Sequence, residues 1–215
     1  GIGSDVRIGH NFLYAGCGFG GSCFPKDVKA LNRTALEYGV DLKIVGAIDG
    51  VNERQKRVML HKILARFDND VRGRKLALWG LAFKADTDDM REAPSRAIID
   101  GLLDRGARIC AYDPAAMAEA RRIYDGMDGI EFAAAPMEAL AGADALVIVT
   151  EWRIFKSPDF DEIRALLKQP VVFDGRNLFD PSWVVAHGLE YYAIGRTPPP
   201  REMHAAAPHL VLAAA

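Results

Sequence analysis

The sequence predicts an α/β fold in which a helical central segment is followed by a doubly wound, mostly parallel β-sheet. Between about residues 25 and 67, apolar residues recur at spacings of three and four, which is typical of helices. From residue 75 onward, short apolar runs alternate with helical patterns, as in parallel strands that helices cover on both faces. We therefore expect a central helical domain at 1–70, an α/β domain at 71–195 and a Pro/Ala-rich tail at 196–215.

The chain opens with glycine-rich residues that predict loops and short helices rather than a strand. A first helix is predicted from Pro25, which suits the first helical turn, to near Gly39, which suits the left-handed position after a helix end. Its apolar face consists of four residues at helical spacing: Val28, Leu31, Ala35 and Tyr38.

A second, longer helix is predicted from about Leu42 to Phe67. Roughly 25 helical residues span about 38 Å, which is wider than a small domain. We therefore expect this helix to bridge two domains or to take part in a homodimer. The polar run 52–57 interrupts its apolar pattern, and we expect this middle part to be solvated or to face a partner. The apolar stripe consists of Ile44, Ile48, Val51, Met59, Ile63 and Phe67.

Apolar runs of strand length follow, separated by helical candidates. The predicted strands are Lys75–Leu81, Ala107–Tyr112, Ile130–Ala133, Ala145–Thr150 and Val171–Asp174. The predicted helices are Pro94–Leu103, Ala115–Tyr124, Pro136–Leu140 and Phe160–Leu167. Right-handed crossovers make such a sheet doubly wound and Rossmann-like, with its ligand site at the carboxyl ends of the strands.

Charged residues follow several of these strands, and together they suit an anionic ligand. Lys84 and Arg91 come after the first strand, Glu151 after the fourth and Arg176 after the fifth. Asp113, after the second strand, imitates the ribose-binding acid of a dinucleotide fold. The first strand is not followed by a glycine-rich fingerprint, however, so we expect this sheet to bind something other than a whole dinucleotide.

Composition excludes several classes of function. The net charge of −2 and the lack of a Lys/Arg run argue against a nucleic-acid partner. Three cysteines without a framework spacing argue against a secreted disulfide scaffold, and no motif suggests a metal site. Because neither a signal peptide nor a bilayer-spanning apolar run appears, we expect a cytoplasmic protein without a membrane partner.

A glycine-rich loop before the first predicted helix has the composition of an active site. Four of the six residues at 16–21 are glycine, so the backbone can adopt left-handed conformations and approach a ligand closely. Cys23 follows near the predicted helix N-terminus, where the helix dipole favours an anion and therefore the nucleophilic thiolate. Lys26 and Asp27 in the first turn supply a cation and a possible base.

Two alternative interpretations of this loop are a buried structural cysteine and a dinucleotide fingerprint. A lone cysteine is usually a small buried side chain, as we expect for Cys17 and Cys110, but the glycines and flanking charges make that role less fitting for Cys23. The glycines also satisfy the dinucleotide fingerprint G-x-G-x-x-G formally. No continuous apolar strand precedes them, so we do not interpret the loop as a cofactor fingerprint.

Three segments form a recognisable set. The first is Gly-Gly-Ser-Cys-Phe-Pro-Lys-Asp at 20–27, preceded by Asp-Val-Arg-Ile-Gly at 5–9. The second runs over 80–95 and contains Gly-Leu-Ala-Phe-Lys, and the third is Phe-Asp-Gly-Arg-Asn at 173–177. In this order they resemble the signatures of the UDP-glucose/GDP-mannose dehydrogenase family. The resemblance covers residues 1 to about 195. Within the family, the residues after the cysteine and Glu151-Trp152 after the fourth strand look most like the UDP-glucose 6-dehydrogenase branch.

The resemblance implies functions for individual residues. Cys23 is implied as the nucleophile, with Asp27 and Lys26 assisting it. NAD is implied as the cofactor, contacted by Arg91 together with Cys23 and Lys26. The implied contacts with UDP-glucose or UDP-glucuronate are Tyr14, Gly16, Gly18, Phe19, Gly20, Phe83, Lys84 and Arg176, and Arg7 is implied to reach the substrate of a neighbouring subunit.

The resemblance also implies a reaction and a larger protein. Family members oxidise a sugar alcohol to the acid in two hydride transfers that consume two NAD, through a thiohemiacetal and a thioester on the cysteine. They begin with an NAD-binding domain, so we expect this chain to be a C-terminal fragment that lacks it and is inactive alone. A GDP-mannose 6-dehydrogenase fragment and a non-catalytic nucleotide-sugar-binding or dimerisation module remain alternatives. A different cysteine enzyme, such as an aldehyde dehydrogenase, is disfavoured because its other motifs are absent.

Overall fold

The computed structural model describes residues 1–197, except the side chains of Asn11 and Phe12. The predicted tail beyond Thr197 lies outside the described residues. Short 3-10 helices, Ile2–Ser4 and His10–Leu13, occupy the glycine-rich start, as expected for a segment without strands. Two long helices follow, α1 at Phe24–Glu37 and α2 at Lys43–Arg66.

The rest of the described chain alternates strands and helices. The strands are β1 Lys75–Trp79, β2 Arg108–Tyr112, β3 Ile130–Phe132, β4 Ala145–Ile148, β5 Val171–Asp174 and β6 Glu190–Ala193. The helices are α3 Pro94–Leu103, α4 Met117–Ile123, α5 Pro136–Leu140, α6 Phe160–Leu166 and α7 Pro181–Ala186, with a 3-10 turn at Arg153–Phe155.

The six strands form one sheet in the order β3-β2-β1-β4-β5-β6, and every pairing is parallel. The order reverses between β1 and β4, so the sheet is doubly wound in the Rossmann-like arrangement. In such sheets the carboxyl ends of the strands at this reversal are where ligands commonly bind. The predicted α/β class is confirmed, and the sheet is wholly rather than mostly parallel. The division into domains near residue 70 stays a prediction.

Alternate residues of each strand face opposite layers of the core. Leu76 and Leu78 of β1 pack in the layer that contains α2 and α3, whereas Ala77 and Trp79 pack with α5 and α6. The Trp79 ring stacks on Phe155 with ring centroids 5.0 Å apart. Burial on both faces explains why these strands read as continuous apolar runs in the sequence.

Helix α2 joins the N-terminal segment to the sheet, and its two halves differ. Met59 and Ile63 in the second half are fully buried beside the sheet, whereas Ile44 is 79% exposed and Val51 53% exposed. The expectation that its polar middle is solvated or faces a partner holds for Arg54 and Arg57, which are exposed, and is wrong for Asn52 and Lys56. Asn52 and Lys56 are each only 4% exposed, because they face the chain's own glycine loop.

The apolar face predicted for α1 also lies largely open. Leu31 is 54% exposed and Tyr38 82% exposed, while Val28 and Ala35 are half-buried against α2. Over the described residues, the search for a helix of sufficient length and apolar character to span a bilayer gives no candidate.

The sequence analysis missed the last helix and strand. Helix α7 is capped at its N-terminus by Asp180, whose side chain accepts hydrogen bonds from the main-chain N–H groups of Ser182 and Trp183. Strand β6 pairs with β5 and is buried along its length. Its first residue, Glu190, forms an ion pair with Arg66 of α2, so a charged residue occupies a buried strand position.

Candidate functional site

The glycine loop, defined here as residues 16–22, leads directly into α1. Gly18 and Gly21 adopt φ values of 101° and 93°, which L side chains rarely allow. Cys23 is the N-cap residue of α1, and Pro25 lies in the first turn. The Cys23 thiol is exposed, with its Sγ 3.6 Å from the hydroxyl of Ser22. A thiol at a helix N-terminus therefore faces solvent.

One wall of the glycine loop is the middle of α2. The amide of Asn52 forms two hydrogen bonds with one residue: its Oδ1 accepts from the Phe19 N–H at 2.9 Å, and its Nδ2 donates to the Phe19 carbonyl at 3.0 Å. One turn further, the Gln55 Nε2 donates to the Gly16 carbonyl at 2.7 Å. Polar groups on one face of α2 thus satisfy main-chain groups that a glycine loop cannot pair within itself.

The opposite wall is the backbone at 91–92, in the loop between β1 and α3. The Gly21 N–H donates to the Arg91 carbonyl at 2.8 Å. A Cβ added to Gly20 would lie 2.5 Å from the Glu92 carbonyl oxygen, so only glycine fits between the walls. Glu92 itself has a left-handed backbone with φ 53°, which is uncommon for a residue with a side chain.

Ion pairs tie the two walls together. The Lys56 ammonium is 2.8 Å from Glu92 and 2.8 Å from Glu53, and Lys29 of α1 is 3.0 Å from Glu92. Hydrogen bonds from Lys56 and then Lys29 lower the pKa of Glu92. The ion pairs of Glu92 therefore stabilise the folded chain at neutral pH. This stabilisation is lost as the pH falls through the lowered pKa that Glu92 has in the folded chain.

We predict that Gly20→Ala destabilises the chain by about 1–3 kcal/mol, the usual cost of forcing an extra methyl group against a packed backbone. The new Cβ would meet the Glu92 carbonyl at 2.5 Å and the Phe83 Cβ at 3.0 Å. Urea unfolding followed by circular dichroism measures the change. Gly46→Ala in α2 is the matched control, because its Cβ would lie 3.7 Å from Asn32 and alanine favours a helix. Equal stability of the two variants would contradict the tight packing of Gly20.

The carboxyl edge of the sheet lies against the start of the glycine loop. The Arg176 guanidinium, after β5, forms an ion pair with Glu151, after β4, at 2.5 Å and donates to the Phe83 carbonyl at 3.4 Å. The Cβ position of Gly16 is 2.7 Å from the Arg176 Nη1. The structure therefore brings Gly16, Phe83 and Arg176, from three separate segments, into one place.

The other two cysteines are buried and differ from Cys23 in accessibility. Cys17 lies inside the loop with its Sγ 3.9 Å from the Val149 carbonyl, and desolvation raises its pKa to about 11. Burial likewise raises the pKa of Cys110 in β2 to about 11. The prediction that both are buried apolar side chains is confirmed.

Asp113 is fully occupied by the chain's own donors. Its Oδ2 accepts from the N–H groups of Leu81 and Ala82 and from the Trp152 indole, at 2.7, 3.1 and 3.0 Å. Its Oδ1 accepts from the main-chain N–H groups of residues 115 and 116, each at 2.8 Å. A carboxylate that is 1% exposed and holds five donors is not available to a ribose hydroxyl. It holds the β1, β2 and β4 ends together instead.

The remaining predicted site residues are exposed. Lys26 and Asp27 lie 3.6 Å apart in the first turn of α1. Arg91 forms an ion pair with Asp89 at 2.8 Å, and its hydrogen bond to this carboxylate raises the pKa of Arg91. Arg7 pairs with Asp5 at 2.6 Å on the N-terminal segment. The functions of these residues stay predictions.

Two further predicted contact residues have little packing around them. Lys84 is exposed, with its ammonium 5.5 Å from the centroid of the Phe83 ring, and Tyr14 is 71% exposed. Both side chains are therefore free to meet a ligand in solution.

Two grooves lie on either side of α2, and neither is lined by Cys23. One, of about 490 Å³, runs between α1 and α2 and is lined by residues such as Asn32 and Leu36. The other, of about 620 Å³, runs between α2 and α3 behind the Lys56–Glu92 pair. We place the candidate site at the glycine loop because the loop ends at an exposed thiol, which neither groove contains, next to the charges of Lys26 and Asp27. Within residues 1–197, no cluster of His, Cys, Asp and Glu side chains is arranged to hold a metal ion.

Comparison with known proteins identifies the family of the chain. Residues 77–181 match the UDP binding domain of the UDP-glucose/GDP-mannose dehydrogenase family, and residues 1–54 match the central domain of the same family. The chain belongs to this family. The resemblance seen in the three sequence signatures is thereby confirmed at the level of the family.

Individual family members cover most of the chain. The UDP-glucose 6-dehydrogenase of Rhizobium meliloti (strain 1021) is 46% identical over 196 residues, 91% of this chain and 44% of that protein. The UDP-glucose 6-dehydrogenase of Pseudomonas aeruginosa is 46% identical over 207 residues, 95% of this chain and 45% of that protein. The solved UDP-glucose dehydrogenase from Pyrobaculum islandicum superimposes with a TM-score of 0.74 at 34% identity, over 89% of this chain and 41% of that one. The chain thus spans less than half the length of these relatives.

The residues that sequence analysis missed are Asn52, Gln55 and Lys56 on α2, and Glu92. The signal for the first three was present, since positions 52, 55 and 56 lie on one helical face at spacings of three and four. A polar face in the middle of an otherwise apolar helix indicates a polar partner, which here is the glycine loop.

Proposed function

We propose that this chain is the nucleotide-sugar-binding and catalytic-cysteine part of an NAD-dependent UDP-glucose 6-dehydrogenase, which oxidises UDP-glucose to UDP-glucuronate. The observation that supports the proposal most is the position of Cys23. An exposed thiol caps α1 at the end of a glycine loop, and that loop lies against the carboxyl edge of a parallel sheet. This edge is where such sheets bind ligands.

The diphosphate of the substrate would meet cations at this edge. Lys84 is exposed and unrestrained by an ion pair among the described contacts, whereas Arg176 is held in a fixed orientation by Glu151. The Nε and Nη2 groups of Arg176 are held by Glu151, and its Nη1 group remains to donate to a phosphate oxygen. The Phe83 and Phe19 side chains, both half-buried, line the approach from the loop.

Cys23 supplies the covalent chemistry in this proposal. Once the alcohol has been oxidised to the aldehyde, the thiolate attacks the carbonyl carbon, a C–S bond forms, and the carbonyl oxygen takes a proton. Removal of a hydride and of the hydroxyl proton from this thiohemiacetal leaves a thioester. Water then attacks the thioester, the C–S bond breaks, and the acid and the thiol are released. The nearby Lys26 and Asp27 can hold an alkoxide and a proton, respectively.

The cofactor in this proposal is NAD, which when bound accepts one hydride in each of the two oxidations. The described residues fit one edge of such a cofactor: Arg91 is an exposed cation within the field of Cys23, and Lys26 is a second exposed cation on α1. Asp113 is not available to the ribose of such a cofactor, because main-chain and indole donors saturate it. As exposed cations, Arg91 and Lys26 would contact anionic groups of the cofactor.

We predict that the chain binds UDP and UDP-glucose in preference to GDP and GDP-mannose. In this proposal, main-chain groups of the pocket form hydrogen bonds with uracil. A guanine is larger and would leave these groups without partners, and such polar mismatches discriminate strongly between ligands. The diphosphate contacts are common to all four ligands and do not discriminate. Calorimetric titration of the four ligands measures the preference, and tighter binding of GDP would favour the GDP-mannose branch.

We also propose that the chain forms a homodimer through α1 and α2. The exposed apolar side chains of this surface are Leu31, Leu36, Tyr38, Val40, Ile44 and Val51. We predict that sedimentation at tens of micromolar shows a dimer and that Ile44→Glu yields a monomer. Met127→Glu, at an exposed apolar residue after α4, is the matched control and should remain dimeric. A monomeric wild-type chain would contradict this part of the proposal.

A further inference from the structure

Asn52 contacts the glycine loop in a way that its position in α2 does not require. It is 4% exposed in the interior of a 24-residue helix, where asparagine is a poor helix former. Both polar atoms of its side chain are used on the two main-chain groups of Phe19. An apolar residue would suit the helix better, so the stabilisation that Asn52 provides is that of the glycine loop rather than of α2.

The main chain of Phe19 takes its described hydrogen bonds from Asn52. Its neighbours Gly18 and Gly20 have no side chains to fix the peptide planes, and the Phe19 ring packs against Phe24 with ring centroids 4.8 Å apart. The Cβ position of Gly18 is only 3.0 Å from the Asn52 Oδ1, so the loop lies directly on this side chain. Two opposed hydrogen bonds to one residue fix the orientation of both adjoining peptide planes.

We propose that Asn52 is a positioning residue for the glycine loop: it fixes the Phe19 main chain so that the loop is ordered before the nucleotide sugar binds. A loop that is ordered in advance loses less conformational entropy when its ligand arrives, which increases affinity. The effect on the ligand rests on the proposed function, whereas the effect on the loop does not. Gln55 adds a third hydrogen bond at Gly16, one turn along the same face.

Hydrogen exchange at the Phe19 amide tests the contact directly. Asn52→Ala removes its acceptor and should lower the protection factor of this amide about tenfold, as expected for the loss of one hydrogen bond. The Gly21 amide is the internal reference, because it donates to Arg91 instead of α2. Asn32→Ala in α1 is the matched control. Unchanged protection at Phe19, or an equal loss at Gly21 and in the strands, would overturn the inference.

A second variant separates hydrogen bonding from space filling. Asn52→Leu has nearly the same shape, but it can neither accept from the Phe19 N–H nor donate to the Phe19 carbonyl. We expect it to lower the protection factor of the Phe19 amide about tenfold, as Asn52→Ala does. Wild-type protection in Asn52→Leu would mean that the side chain only fills space and would overturn the inference.

Titration with UDP-glucose tests the consequence for the ligand. Asn52→Ala should weaken binding about fivefold, while Asn32→Ala leaves the affinity unchanged. Altered exchange at Phe19 with unaltered UDP-glucose affinity would overturn the positioning role. A wild-type chain that binds no UDP-glucose would instead overturn the proposed function and the ligand part of this inference, whereas the exchange experiment still decides whether Asn52 holds the loop.

Discussion

Under the proposed function, Cys23→Ser, made in the protein as the cell produces it, is expected to abolish the conversion of UDP-glucose to UDP-glucuronate while leaving UDP-glucose binding intact. A serine hydroxyl at neutral pH has almost no anionic character, so it cannot replace a thiolate as the group that traps the aldehyde. We expect kcat to fall by more than about a thousandfold, the order of loss seen when a nucleophile is removed. Absorbance of NADH measures turnover, and calorimetry measures binding.

The other cysteines provide the control for this experiment. Cys110 is 5% exposed within β2, so Cys110→Ser should retain turnover in whatever fraction folds. In the unmodified chain, iodoacetamide should label Cys23 well before Cys17 or Cys110, because only Cys23 is exposed. Undiminished turnover in Cys23→Ser would assign that side chain a structural role.

The largest loss of stability is expected from Asp113→Ala. This change leaves five donors at the sheet edge without their acceptor, among them the Leu81 and Ala82 N–H groups and the Trp152 indole. Each buried donor left unpaired costs roughly 1–3 kcal/mol, so we expect a total of about 3 kcal/mol or more after local rearrangement and entry of water. Urea unfolding of the chain measures the difference.

An exposed aspartate is the appropriate reference for this variant. Asp128→Ala, in the turn before β3, should change the free energy of unfolding by less than about 0.5 kcal/mol. Asp113→Asn should fall between the two, because one amide oxygen remains to accept while the new NH₂ group faces donors. A stability of Asp113→Ala equal to that of Asp128→Ala would contradict the role assigned to Asp113.

Most of the fold could be predicted from sequence because its signals are local. Strands buried on both faces appear as continuous apolar runs, and Pro25 and Pro94 stand at the beginnings of α1 and α3. Strand β6 could not be predicted in this way. Its Glu190 is tolerated in a buried strand only because Arg66, more than a hundred residues away in sequence, pairs with it. The Asp-Pro start of α7 was a usable local signal that was overlooked.

The site could be predicted only in part. The glycine spacing and Cys23 at a helix start are local features, and the structure places them as expected. The walls of the loop are formed by long-range contacts: Asn52 reaches Phe19 across 33 residues, and Lys56 reaches Glu92 across 36. From sequence alone the polar run in α2 fits a solvated face equally well, and that interpretation is wrong for Asn52 and Lys56.

Helix α2 also has a mechanical consequence for the loop, because it is one unbroken rod. Near Ile63 it is embedded in the core, at Ile44 it projects into solvent, and Asn52 lies between these points. At 1.5 Å per residue, a tilt of about 5° around Ile63 moves the Lys43 end by about 3 Å and the Asn52 position by about 1.5 Å. Any body that attaches to the projecting end and tilts the helix therefore displaces the glycine loop by about half as much.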